Sequence, residues 1–117
     1  MDKLDTIFAL QAELDSDIRE KHGLDGYTQD EWVQKKMLAL IAELAEVLDE
    51  INYKWWKKPK PVDKAALFEE LADVLHFYVG MCIDAGMTAD ELFDIYTKKN
   101  RENHLRQEGK SEKGGYV

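Results

Sequence analysis

The sequence predicts an all-α fold, four helices with a bundle-like core completed by pairing with a second copy. Three observations lead to the helices. Apolar residues recur at spacings of three and four along most of the chain. No segment alternates with the period of a strand. Only two prolines occur among 117 residues, and most of the seven glycines sit where helices would end. That length suits one domain with a real core, taken as residues 1–108. Residues 109–117 form a polar, glycine-containing tail expected to be mobile.

The first helix is expected from about residue 2 to residue 21, ending at His22-Gly23 with the glycine as cap. Its apolar stripe reads Leu4, Ile7, Leu14 and Ile18, with the amide of Gln11 inside it. A buried amide must find partners, either backbone or the edge of a ligand. Thr28 followed by Glu31 is a capping box opening the second helix. Met37, Leu40, Ile41, Leu44, Val47, Leu48 and Ile51 form its stripe, and the pattern continues toward Trp56, before Pro59-Lys60-Pro61 forbids more helix. Asp63 caps a third helix with the stripe Leu67, Leu71, Val74, Leu75, Tyr78 and Cys82, closed by Gly86. Thr88 and Glu91 repeat the capping box for a fourth helix. Its apolar face, Leu92, Ile95 and Tyr96, gives way to Lys99, Asn103 and Arg106, which fits a phosphate site or a helix leaving the core.

A net charge of −8, from 16 basic and 24 acidic residues, argues against binding a nucleic-acid polymer. A nucleotide remains open as a ligand, because cations can mediate between carboxylates and phosphates. The most apolar stretch, Val74 to Ile83, is interrupted by His76 and Gly80 and falls far short of the roughly 20 residues that span a bilayer. The start, MDKLD, has no hydrophobic signal core, and the lone Cys82 cannot form an internal disulfide. The expected location is therefore cytoplasmic, with no membrane partner.

The chain writes nearly the same six letters twice, ELAEVL at 43–48 and ELADVL at 70–75. At about 100° per residue, with Glu43 at zero, Glu46 falls near 300° and Glu50 near 340°. With Glu70 at zero on the third helix, Asp73 falls near 300° as well, at the same offset from the apolar stripe. If those helices pack through their stripes, the acids meet along one seam. Clustered carboxylates repel and stay ionised only with cations between them, and oxygen ligands suit Mg²⁺. A single E-x-x-E is most often a solvated helix face, and the matched second copy weakens that reading. Asp73 with His76 also makes an acid-x-x-His pair, as in di-iron bundles, but those need two such pairs. Continued helix would bring Lys54 and Lys57 into the sector of the glutamates, as phosphate partners or as simple i,i+4 pairs. Phe77 falls between the acids in angle, to stack on a base or to fill the core.

The acid motifs, E-x-x-E then E-x-x-D after a gap of 23 residues, resemble the signature of the all-α nucleoside triphosphate pyrophosphohydrolases, which include the MazG-like and dimeric dUTPase families. Four further stretches resemble elements of the dimeric dUTPases. They are LQAELD at 10–15, YKWWKK at 53–58, ELADVLHF at 70–77 and KNRENHLRQ at 99–107. The likeness runs from residue 4 to about residue 107. It implies a homodimer that hydrolyses dUTP to dUMP and pyrophosphate with Mg²⁺ as cofactor. Glu43, Glu46, Glu70 and Asp73 would hold the metal, with Glu46 also activating water. Gln11, Trp55, His76 and Phe77 would surround uracil and deoxyribose. Lys99, Asn100, Asn103 and Arg106 would contact phosphates. Two departures stand out: Asp15 replaces an amide found in some members, and Gly115-Tyr116 lies several residues later than the family's Gly-Tyr. The competing expectations are a dCTP or broader house-cleaning dNTP pyrophosphatase, and a non-enzymatic acidic helical dimer.

Overall fold

The computed structural model describes residues 1–112. These form four helices, α1 (Lys3–His22), α2 (Gln29–Glu50), α3 (Lys64–Asp84) and α4 (Ala89–Gln107), with no strand among the described residues. The all-α expectation holds. Residues 113–117, including Gly115-Tyr116 and most of the proposed tail, lie outside the described residues.

The helix starts follow capping chemistry. Thr28 accepts from the Glu31 backbone N–H while Glu31 returns a bond to the Thr28 backbone, and Thr88 with Glu91 does the same. Asp2 and Asp63 cap α1 and α3 by accepting from the N–H groups of Asp5 and Ala66. Gly23, at φ +61°, takes the left-handed turn that ends α1. Gly86, at φ +88°, follows the end of α3.

The chain divides into two compact units, one from Met1 to Gly86 and one from Met87 onward. In the first, α3 packs against both α1 and α2. Phe8, Leu40, Val79 and Cys82 form its buried apolar core, and Val79 is the most enclosed at 1% exposure. In the second, α4 carries an Arg106–Glu102 ion pair of 3.3 Å, and Glu102 also accepts from the Ser111 hydroxyl.

Two expectations are corrected. The second helix does not run on toward Trp56: α2 ends at Glu50, with Ile51 extended at φ −123° and ψ 160°. The cause lies one residue on. Asn52 accepts from the Lys60 backbone N–H at 2.9 Å and donates to the Lys60 carbonyl at 2.8 Å. One side chain thereby closes the 52–60 loop, offering the backbone an alternative to helix. The stripe on α1 is also displaced. Ile7, Leu14 and Ile18 are exposed, while Phe8, Gln11 and Asp15 are buried. The buried face of α1 is polar at its centre because its partners are polar too, as described below.

Candidate metal and ligand site

The packing of α2 on α3 brings the two acidic motifs together. One carboxylate oxygen from each of Glu43, Glu46 and Glu70 lies within 4.8 Å of the others. Glu43 and Glu70 are half-buried and Glu46 is exposed. Oε2 of Glu43 and Oε2 of Glu70 are buried with no hydrogen-bond partner among the described residues. The electrostatics follow from that crowding. Loss of water raises the Glu43 carboxyl above the ordinary carboxylate range, and the nearby Glu46 and Asp73 raise it further. Glu70 is pushed up to about 7, first by its hydrogen-bonding contact with Glu46, then by lost water and by the charges of Glu46, Asp73 and Glu43. Asp73 thus acts on the cluster through its charge but is not one of the three converging oxygens. Three oxygen donors, two of them orphaned, fit a hard divalent cation better than a borderline or soft one.

A second polar cluster crosses the three helices. Lys36 of α2 lies 2.7 Å from Asp15 Oδ2 and 3.2 Å from Asp84 Oδ2. Asp84 Oδ1 in turn accepts from Arg19 at 2.6 Å, and the Arg19 guanidinium stacks over the Trp32 ring at 3.9 Å. Asp15 Oδ1 accepts from Gln11 Nε2 at 2.9 Å, and Gln11 Oε1 meets His76 Nδ1 at 2.7 Å. Gly80 makes room for it. A Cβ there would stand 2.6 Å from Lys36 Nζ and 3.1 Å from Asp15 Oδ2. That close approach accounts for a residue that otherwise weakens a helix interior. Sequence reasoning found Gln11 and His76 but not Asp15, Lys36, Asp84 or Gly80 as their support. The available signals were Asp15 four residues after Gln11 and a glycine inside α3.

Gln11 and His76, with Ile7, Leu10, Ala72 and Leu75, line a largely apolar cavity of about 250 Å³ between α1 and α3. Phe77 is half-buried beside His76 in sequence but does not line it. Trp55 stands apart from it on the loop after α2, 86% exposed and edge-on to Trp56. Because α2 stops early, Lys54 and Lys57 leave the glutamate sector. They line a different cavity of about 350 Å³ with Lys58 and Lys60, and also with Asp49, Glu50 and Asp63. On α4, Lys99, Asn103 and Arg106 share one hollow of about 250 Å³ with Lys98 and Glu102, and Asn100 does not line it.

Similarity to known proteins follows this geometry. The dUTPase family model matches residues 3–88, which covers α1 to α3, the carboxylates and the Gln11–His76 cavity, and stops before α4. A dCTP pyrophosphatase of Enterobacteria phage T4 is 28% identical over 88 residues, covering 63% of this chain and 52% of the phage protein. A dCTP pyrophosphatase of Enterobacteria phage LZ5 is 42% identical over 48 residues, covering 41% of this chain and 28% of that protein. The chain thus spans about half or less of the curated relatives it matches. No solved structure matches it. No described helix is long and apolar enough to cross a membrane. With the match extending over most of the chain and containing both acidic motifs, the chain belongs to the all-α dUTPase family.

Proposed function

We propose that the chain is a Mg²⁺-dependent nucleotide pyrophosphohydrolase of the cytoplasm that converts dUTP to dUMP and pyrophosphate. One observation carries the proposal: three convergent carboxylates, two of them with buried oxygens that no group among the described residues satisfies. Such a cluster is electrostatically incomplete without a cation. Glu43, Glu46 and Glu70 would hold Mg²⁺, with Asp73 adding charge from the next turn of α3. The ion's chemistry there is neutralisation of the phosphate oxygens and polarisation of the bond to be broken. Glu46, the exposed member, orients a water for attack at the α-phosphorus and takes up its proton, and pyrophosphate leaves.

Gln11, His76 and Phe77 on α1 and α3, with Trp55 from the loop, take the roles of base and deoxyribose contacts. Lys99, Asn100, Asn103 and Arg106 on α4 take those of phosphate contacts. Homodimerisation is part of the reading. Leu38 and Phe68 are 69% and 64% exposed, and Leu10, Ile41, Leu44 and Leu71 are exposed as well, a set of apolar groups that association with a second copy would cover. Sedimentation is expected to give a dimer at micromolar concentration, and a monomer there contradicts the dimer.

A second reading, a dCTP pyrophosphatase, is favoured by the names of both phage relatives. Release of pyrophosphate from dUTP, dCTP, dTTP and dATP, each with and without Mg²⁺, separates the two. Preference for dUTP supports the first reading and preference for dCTP the second. Release from none of them removes both.

A further inference from the structure

The polar cluster behind the α1–α3 cavity has a direction, and chemistry sets it. Lys36 can only donate hydrogen bonds. It faces Asp15 Oδ2 at 2.7 Å, and the ion-paired set of Arg19, Asp84, Lys36 and Asp15 is balanced, two cations against two anions. Asp15 is therefore a carboxylate, and a carboxylate only accepts. Its other oxygen lies 2.9 Å from the Gln11 amide, so the amide must turn its NH₂ group toward Asp15. Gln11 Oε1 is then left for His76 Nδ1, 2.7 Å away. An amide oxygen only accepts, so Nδ1 must carry the proton. The neutral ring then has Nε2 bare, and Nε2 makes no hydrogen bond among the described residues.

We propose that Asp15 fixes the hydrogen-bond polarity of His76, acting through Gln11, so that the cavity offers its ligand an acceptor, His76 Nε2, and selects an N–H or O–H group at that point. Asp15 and Lys36 are positioning residues in this arrangement: they act on the ligand through His76 and without touching it. Gly80 belongs to the same device, because a Cβ there would stand 2.6 Å from Lys36 Nζ and force it to shift. The identity of the ligand rests on the nucleotide reading above; the polarity of the ring does not.

Asp15→Asn is the decisive variant, since it keeps the shape and reverses the chemistry. Lys36 would take the Asn oxygen, and the Asn NH₂ group would face Gln11. Gln11 would then flip, offering its own NH₂ to His76, and Nδ1 would have to become the acceptor. The proton moves to Nε2, and the cavity acquires a donor where it had an acceptor.

The test is histidine nitrogen NMR on the full chain at about pH 8.5, some two units above the ordinary histidine pKa of about 6.5. The His76 signals are assigned by their loss in His76→Gln. A protonated ring nitrogen and a bare one differ widely in ¹⁵N shift, so the tautomer is read directly. The expected result is Nδ1–H in the natural chain and Nε2–H in Asp15→Asn. In Gln11→Met, which cuts the link, the tautomer should become the same whether position 15 is Asp or Asn. Nε2–H in the natural chain overturns the proposal even if no variant folds. So does a tautomer unchanged by Asp15→Asn in a variant whose helical circular dichroism is intact. Absence of nucleotide hydrolysis would count against the nucleotide reading alone and leave this measurement standing.

Discussion

Two clusters of charge sit on the same three-helix unit, and they are built oppositely. Along α2 and α3, Glu43, Glu46 and Glu70 converge with no ion pair to a basic side chain among the described residues, and Glu70 is driven up to about 7. Behind the α1–α3 cavity, Asp15 and Asp84 are just as crowded but alternate with Lys36 and Arg19. The second cluster balances its own charge through ion pairs, although Asp84 Oδ2 has no hydrogen-bond partner among the described residues, and it is suited to hold geometry. The first has no such balance, and a cation from outside would supply it. Opposite effects on stability and activity are expected when each is neutralised.

The largest effect is expected in the acidic cluster. Glu46→Gln should lower pyrophosphate release by at least about a hundredfold, the scale of losing a positioned base. Its thermal midpoint should hold or rise, because a repulsion is removed. An unchanged rate, or a rate lost only together with the fold, breaks this half of the comparison. Next comes the balanced cluster. Lys36→Met leaves Asp15 and Asp84 buried without their shared ammonium and should cost about 3–5 kcal/mol in urea unfolding. A cost under about 1 kcal/mol would mean that the ion pairs do not hold the helices as described.

The pH response sharpens the contrast. Glu70 binds its proton more tightly folded than unfolded, so the folded chain holds extra proton between the ordinary 4.5 and about 7. Stability without added metal should therefore fall as pH rises through that window, and the fall should shrink in Glu70→Gln. Added Mg²⁺ should oppose the fall, since it competes with protons for the same oxygens. A flat thermal midpoint across the window contradicts the crowding of Glu70. The smallest effect is expected at Gly80. Gly80→Ala gains helix propensity of about 1 kcal/mol but pushes against Lys36, for a net loss of about 1–2 kcal/mol. A stabilised variant would show that Lys36 moves aside freely.

How much of this was legible in the sequence depends on whether the cause was local. Caps were readable because Thr28 with Glu31 and Thr88 with Glu91 act within one turn. The acidic seam was readable because equal angular offsets on two packed helices force proximity, and three of the four acids do converge. Asp73 stands outside that group because where its carboxylate points is decided by side-chain packing, which helical angle does not encode. The end of α2 was missed because Asn52 reaches across the loop to Lys60, a contact invisible to periodicity. The buried face of α1 was missed because a stripe drawn through apolar residues cannot register Asp15, whose burial is compensated from α2 and α3. Matching the motifs named Gln11 and His76 separately, and only the structure supplied their contact and the Asp15 behind it.

The central claim is that the acidic seam is incomplete without a divalent cation and hydrolyses a nucleotide once it has one. The most direct measurement is pyrophosphate release from dUTP and from dCTP as Mg²⁺ is raised from zero, for the natural chain and for Glu70→Gln. The expected result is release that requires Mg²⁺ and saturates with it in the natural chain, and that is largely lost in Glu70→Gln. Release that ignores Mg²⁺, or that survives intact in Glu70→Gln, would contradict it.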